Sequence, residues 1–95
     1  MPVIYVDVDD TLVRSFGSKR IPMTMAIQRV VALKEQGFTL YLWSSGGADY
    51  CKRTAAELGI ENIFEGFLPK PNIYVDDQPI SEWRELTHQY PMGGT

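Results

Sequence analysis

The stretch VIYVDVDDT, residues 3–11, determines how the rest of this chain is interpreted. Its apolar half predicts a β-strand over residues 3–8, and Asp7 and Asp9 follow each other two residues apart at the end of that run. Such side chains project to the same side of a strand, and ligands of open α/β sheets bind at the carboxyl ends of the strands. The stretch therefore predicts a carboxylate pair in a binding site, with a divalent cation offsetting the added charge of Asp10. The alternative is an acidic turn that only ends the strand.

Three later segments place polar residues in the order that such a site requires. A second apolar run, residues 38–43, leads into two serines and two glycines, and a lone lysine stands between two prolines. A short apolar run at residues 72–75 then leads into two acids. The polar residues concerned are, in chain order, Ser44, Ser45, Lys70, Asp76 and Asp77.

The remaining pattern is that of strands alternating with helices. Helical periodicity with a following glycine predicts two amphipathic helices, and Cys51 falls on the inward stripe of the second. The predicted elements are strands at residues 3–8, 38–43, 63–67 and 72–75, and helices at residues 24–36, 48–58 and 81–89. Residues 14–20 are expected to form a polar loop, in which Arg14, Lys19 and Arg20 are candidate contacts for an anionic substrate, although a charged surface loop is the default.

Together the strand-end residues resemble the four motifs of the haloacid dehalogenase (HAD) superfamily, namely DxDx[TV], a Ser or Thr, a Lys and a final acidic pair. The resemblance extends from Val3 to Asp77. It implies an α/β fold: a three-layer Rossmann-like sandwich with a short parallel sheet in strand order 4-1-2-3. Members of the superfamily usually carry a cap domain after the first motif or between the second and third. Here each interval has room for only a loop and one helix, so the resemblance implies a capless member.

The resemblance also implies a role for each polar residue. Asp7 would be the nucleophile that forms an aspartyl-phosphate, and Asp9 the general acid and base. Ser44 or Ser45 would donate a hydrogen bond to the phosphoryl oxygens, and the choice between them stays open, as does the alternative that they only begin a helix. Lys70 would compensate the negative charge of Asp7 and phosphate. The alternative is that it is an ordinary surface lysine.

Magnesium is the implied cation, because it prefers oxygen ligands. By resemblance its ligands would be the side chain of Asp7, the backbone carbonyl of Asp9 and one acid of the final pair. Asp77 is favoured as the direct ligand and Asp76 as its outer neighbour, because alternation along a strand sends the two side chains opposite ways. The alternative is that the final pair is only a turn.

The expected function is hydrolysis of a phosphate monoester by a magnesium-dependent phosphatase, with Thr11 expected to aim Asp9. The alternative is a non-catalytic, magnesium-dependent switch or regulatory domain that is phosphorylated on aspartate. The substrate, a small molecule or a macromolecular end, is not determined by the sequence. Without a cap, a second copy of the chain is a candidate cover for the open site.

Composition limits the other classes of function. Ninety-five residues make one domain, residues 1–95, and a net charge of −3 gives no strong nucleic-acid signal. The sequence lacks an apolar run of about 20 residues and a leader-like start, so neither a membrane span nor a signal peptide is expected. A single cysteine fits a reducing compartment, and the expected location is cytoplasmic.

Overall fold

Residues 2–94 are described by a computed structural model, in which strands and helices alternate along most of the chain. The elements are β1 (Val3–Asp7), β2 (Val13–Phe16), β3 (Lys19–Pro22), α1 (Thr24–Glu35), β4 (Thr39–Ser44), α2 (Ala48–Glu57) and β5 (Phe64–Pro69). Short 3₁₀ turns occupy Glu61–Ile63 and Ile80–Glu82. None of the helices within residues 2–94 combines the length and the apolar character needed to cross a bilayer.

The main sheet is parallel and three-stranded, in the order β1-β4-β5. β1 pairs with β4 in continuous register from Val3 opposite Thr39 to Asp7 opposite Trp43. β5 pairs with the other edge of β4, with a shift in register after Leu40. Each parallel neighbour is reached through a helix, as such pairing requires. The α/β class, with a short parallel sheet and two helices, is therefore confirmed.

The hydrophobic core lies on one face of this sheet. On β4 the residues Leu40 and Leu42 are completely buried, and they alternate with partly exposed neighbours. Both helices contribute to the same core, with these apolar residues: Ala26 and Val30 from α1, and Cys51 and Ala55 from α2. On the opposite face Val3 is 58% exposed and Tyr5 is 47% exposed. The described residues thus form two layers, and the predicted third layer is not confirmed.

Both helices lie where their periodicity predicted them, within one residue at the carboxyl end. After α1, the N–H of Gly37 donates to the carbonyl of Lys34 and the N–H of Phe38 donates to the carbonyl of Leu33. These bonds satisfy carbonyl groups that the last helical turn leaves without partners. The helix therefore ends just before the glycine that the sequence marked, and these hydrogen bonds cap its carboxyl end.

Residues 14–20 do not form the predicted loop. They belong to an antiparallel hairpin of β2 and β3, paired from Val13 opposite Pro22 to Phe16 opposite Lys19. Gly17 makes the turn with a φ of 62°, a conformation that a side chain disfavours. The hairpin projects beyond the carboxyl end of β1, and only Val13 of its residues is buried.

The fourth strand predicted at residues 72–75 is not formed, so the order 4-1-2-3 is not confirmed. The side chains of Ile73 and Val75 are 84% and 97% exposed. The physical reason is the length of the connection. A four-residue parallel strand beside β1 would have to start about 13 Å back from the carboxyl edge and about 14 Å across the sheet from β5, whereas the chain between Pro69 and Asn72 spans at most about 11 Å.

The helix predicted at residues 81–89 is also absent, and Ile80–Glu82 forms only a short 3₁₀ turn. Trp83 and Leu86, the large apolar side chains of this segment, are 39% and 53% exposed. A helix of this length is marginal in water unless its apolar face packs against other elements. Without a fourth strand beside β1, this segment has no adjoining layer on which to pack.

Candidate functional site

The chain leaves β1 through a tight turn that carries the acidic residues. The carbonyl oxygen of Val8 accepts the N–H groups of Thr11, Leu12 and Val13 at 3.2, 2.9 and 3.2 Å. Val8 and Leu12 are completely buried, which fixes the turn to the core. Asp10 occupies the left-handed region with a φ of 61°, which aspartate tolerates better than most residues. The turn therefore holds its acids at the carboxyl edge of the sheet.

The carboxylate of Asp7 has a partner on each oxygen. Nζ of Lys70 lies 3.0 Å from Oδ1, and the hydroxyl of Thr11 donates to Oδ2 at 3.1 Å. The backbone N–H of Lys70 donates to the carbonyl of Ser44 at 2.9 Å, which ties the lysine to the neighbouring strand end. Its ammonium also lies 5.6 Å from the ring centre of Trp43, within range of a cation–π interaction. Lys70 and Asp7, which are distant in sequence, are thus in direct contact.

Thr11 does not contact the carboxylate that the sequence assigned to it. Its hydroxyl was expected to aim Asp9, but it donates to Asp7 instead. The tight turn brings residue 11 back over the end of β1, so the nearer carboxylate is that of Asp7. Thr11 therefore orients the predicted nucleophile.

Asp9 is exposed and is held by a tyrosine that the sequence analysis did not identify. The hydroxyl of Tyr50, from the first turn of α2, donates to Oδ1 of Asp9 at 2.6 Å. Arg20 in turn donates to the hydroxyls of Tyr50 and Thr54 at 3.0 and 2.9 Å, and to Glu57 at 2.9 Å. Burial, followed by the hydrogen bond to Asp9, raises the pKa of Tyr50, so its hydroxyl keeps the proton that it donates. The sequence contained one signal that could have identified Tyr50: this residue falls in the first turn of a helix that begins next to the site.

Arg20 was a candidate contact for an anionic substrate, together with Arg14 and Lys19. In the structure its guanidinium group is directed at α2, where it pairs with Glu57. Arg14 and Lys19 are exposed on the hairpin. The hairpin thus uses one of its three cations to attach itself to a helix.

The two serines differ in burial. Ser44 is 1% exposed, and its hydroxyl accepts the N–H of Gly46 at 3.0 Å, whereas Ser45 is exposed. Gly47 precedes α2 with a φ of 101°, which a side chain would strain. The loop therefore leaves the first-turn N–H groups of α2 at the carboxyl edge, where helix termini bind anions. Which serine would contact phosphate stays open.

Cys51 lies in the core, as its helical position predicted. It is completely buried, and its Sγ lies 3.7 Å from the carbonyl oxygen of Leu68. Burial, followed by the charge of Asp7, raises the pKa of the thiol. A neutral buried thiol is a poor nucleophile, so Cys51 contributes packing.

Asp76 and Asp77 do not join the other acids. Both are exposed, and Oδ1 of Asp76 accepts the N–H of Gln78 at 2.9 Å within its own turn. Within residues 2–94, no group of three or more His, Cys, Asp or Glu side chains is placed to hold a metal ion. Magnesium commonly takes one or two carboxylates from a protein and the rest of its oxygen ligands from water and substrate phosphate, so Asp7 and Asp9 could hold the ion without a third acid.

Comparisons of the chain with protein-family models, with curated proteins and with solved structures found no match. The chemistry available at this edge follows from its groups. A carboxylate held by an ammonium and a hydroxyl can act as an oriented nucleophile, and a second, exposed carboxylate can transfer a proton. The lysine and the start of α2 add positive potential that suits an anionic ester.

Proposed function

We propose that the protein hydrolyses a phosphate monoester through an aspartyl-phosphate on Asp7. The observation that supports this most directly is the contact of Lys70 and Thr11 with the two oxygens of that carboxylate. It brings together, at one carboxylate, two of the HAD-like motifs that lie far apart in the sequence. A surface acid has no need of two partners that fix its orientation.

The proposed reaction has two steps, in which atoms and charges balance. An oxygen of Asp7 attacks phosphorus, the bond from phosphorus to the ester oxygen breaks, and that oxygen takes a proton from Asp9. A water molecule then attacks the phosphorus of the aspartyl-phosphate and gives one proton to Asp9, and the bond from phosphorus to the Asp7 oxygen breaks, which releases the Asp7 carboxylate. The products are the alcohol and inorganic phosphate, and both carboxyl groups return to their starting state.

The remaining groups would act on the phosphoryl oxygens. Lys70 compensates the negative charge that Asp7 and the phosphate bring together, and Ser44 or Ser45 donates a hydrogen bond. The N–H groups at the start of α2 face the same edge and favour an anion there. These interactions orient the ester without requiring a covalent bond to any of the groups.

Magnesium belongs to the proposal because of the resemblance and because Asp7 and Asp9 supply hard oxygen donors. Asp77, or Asp76, would complete the ligand set only if the segment after Lys70 moved towards β1, and no step above depends on it. The test is hydrolysis by the Asp76→Asn and Asp77→Asn variants over a range of magnesium concentrations. A raised magnesium requirement in one variant identifies the ligand, and wild-type behaviour in both removes this pair from the proposal.

The decisive experiment on the reaction is the Asp7→Asn variant assayed with p-nitrophenyl phosphate. Asparagine keeps the shape but cannot form the acyl phosphate, so we expect turnover to be abolished and no phosphoryl adduct on the peptide containing residue 7 after acid quench. The matched control is Asp10→Asn, a neighbouring exposed acid outside the proposed machinery. Wild-type turnover by Asp7→Asn would contradict the proposal, and a single phosphorylation of the wild type without turnover would favour the switch.

The exposure of the proposed site bears on which class of substrate it can admit. The side chains of Asp7 and Lys70 are 31% and 36% exposed, and the interval between them contains no inserted domain within the described residues. A site of this kind admits an ester carried on a macromolecule, or it is covered by a second copy of the chain. A panel of phosphate esters, together with the mass of the protein in solution, distinguishes the two.

A further inference from the structure

The contact between Tyr50 and Asp9 is short and uses one carboxylate oxygen. The tyrosine hydroxyl donates to Oδ1 at 2.6 Å, and no group within residues 2–94 donates a hydrogen bond to Oδ2. An exposed aspartate at the tip of a turn otherwise samples several rotamers. The hydrogen bond selects one of them, because a short O–H···O bond holds the carboxyl group in a single orientation.

Tyr50 is itself held from two sides. Arg20 donates to its hydroxyl at 3.0 Å and lies 5.1 Å from its ring centre, so the guanidinium group contacts both the polar tip and the aromatic face. On the other side the ring packs against the loop that follows β4. A Cβ placed on Gly46 would come within 2.8 Å of Cδ2 of Tyr50. Glycine at position 46 therefore leaves the space that the ring occupies.

Arg20 is fixed in its turn, because it bridges the hairpin to α2. Its two terminal nitrogens bond to Glu57 and to Thr54, each at 2.9 Å, and Thr54 is 1% exposed. A buried hydroxyl is a better anchor than a mobile surface group, since its position is set by the core. The chain of contacts thus runs from the core through Arg20 and Tyr50 to Asp9.

We propose that Tyr50 is a positioning residue for the proton transfer by Asp9, and that Arg20 holds Tyr50 in place for this role. The inference rests on the proposed function, since it assigns Asp9 the proton that reaches the leaving oxygen. Tyr50 does not touch the reacting atoms. Its hydrogen bond directs Oδ2 of Asp9 towards the ester oxygen and away from the acids of the same turn.

A positioning role has a kinetic signature that loss of packing does not have. Protonation of the leaving group matters most when that group is a poor one, such as the alkoxide of β-glycerophosphate. It matters least for p-nitrophenolate, which leaves readily without a proton. A variant that disorients Asp9 therefore slows the first substrate more than the second, whereas a damaged fold slows both equally.

The test compares kcat and KM of Tyr50→Phe with the wild type on both esters. Phenylalanine keeps the ring against Gly46 and removes only the hydroxyl. We expect kcat/KM, which reports the first step alone, to fall about 10- to 100-fold for β-glycerophosphate and about threefold or less for p-nitrophenyl phosphate. Arg20→Met should give a smaller loss with the same dependence on the leaving group. The matched control is Tyr41→Phe, which removes a tyrosine hydroxyl from the opposite face of the sheet.

A double-mutant cycle determines whether Tyr50 acts through Asp9. In an Asp9→Asn background, Tyr50→Phe should cause no further loss on either ester, because the group that it positions is already gone. Three results would each overturn the inference: an equal loss of kcat/KM on both esters, an unchanged kcat/KM for β-glycerophosphate, or a full additional loss in the Asp9→Asn background. None of them would affect the result for an inactive Asp7→Asn variant. Wild-type turnover by Asp7→Asn would instead remove the proposed function, and this inference with it.

Discussion

At the scale of single residues, Asp7 is held between a charge and a hydroxyl. Lys70 on Oδ1 and Thr11 on Oδ2 fix the rotation of the carboxylate, so the orientation is set before a substrate arrives. Preorganisation of this kind avoids the cost of ordering groups during the reaction. Lys70 can keep its contact with Asp7 while its remaining N–H groups bind a phosphoryl oxygen, because an ammonium group has three donors.

The first prediction concerns Lys70. In Lys70→Met the chain keeps its length but loses the charge, so we expect kcat to fall about 10²- to 10³-fold, the usual effect of removing one donor to the developing charge. Lys70→Arg is the matched control, and it should retain part of the activity because the charge is kept. Assays with p-nitrophenyl phosphate measure both variants. Full activity in Lys70→Met would show that the contact with Asp7 has no catalytic role.

At the scale of elements, the turn after β1 determines where the acids lie. Three N–H groups converge on the carbonyl of Val8, and this geometry requires residue 10 to adopt a positive φ. Asparagine and aspartate reach this conformation with a small penalty, and β-branched residues do not. The turn therefore depends on the residue type at position 10 for backbone reasons as well as for charge.

The second prediction tests this conformation. Asp10→Val should lower the free energy of unfolding by about 1–2 kcal/mol, because the left-handed region is costly for a branched side chain. Asp10→Asn, which tolerates the same φ, should leave it nearly unchanged and serves as the control. Denaturation in urea measures both variants. Equal stability of the two variants would mean that the turn relaxes to a different conformation.

The elements that could be predicted from the sequence are those with a sustained hydrophobic pattern and, for the helices, a glycine that marks the end. α1 and α2 end near Gly37 and Gly59 as predicted, and β1 and β4 lie within a residue of their predicted bounds. The hairpin was missed because its residues are almost all exposed, so no apolar alternation marks it. Residues 72–75 were predicted to be a strand because they are apolar. That prediction did not consider how few residues connect them to the end of β5.

The site shows the same division between local pattern and tertiary contact. The expectation that Lys70 compensates the charge of Asp7 came from the resemblance, and the two side chains are in contact in the structure. The contacts of Tyr50 and Arg20 could not be predicted from the sequence, because they depend on how the hairpin folds back onto α2. The prediction that Asp77 lies close to Asp7 depended on a fourth strand, and the connection before residues 72–75 is too short for that strand.

At the scale of the whole molecule, the described residues divide into a packed body and an extended tail. Every residue from 71 to 90 is exposed, and the buried core lies entirely within residues 6–64. The tail contacts α1 through a hydrogen bond that Arg29 donates to Gln89. Exposed segments with few buried apolar contacts contribute little to global stability.

The third prediction follows from this division. A chain that ends at Lys70 should fold, and its thermal midpoint should differ from that of the full chain by less than about 5 °C, because no buried residue is lost. Leu42→Ala in the core is the contrasting control, expected to cost about 2–5 kcal/mol. Circular dichroism during heating measures both. Unfolding of the shortened chain would mean that the tail forms a strand or layer of the folded protein.

The position of Lys70 against the ring of Trp43 has one further consequence. Because the emission of an indole depends on nearby charges, we expect the fluorescence of Trp43 to change if the ammonium group leaves the ring for an incoming anion. The second tryptophan, Trp83, lies in the exposed tail, and Trp83→Phe leaves a single emitter. In that variant we expect the emission of Trp43 to change when an anion binds at the proposed site, a readout that needs neither a dye nor a chromogenic ester.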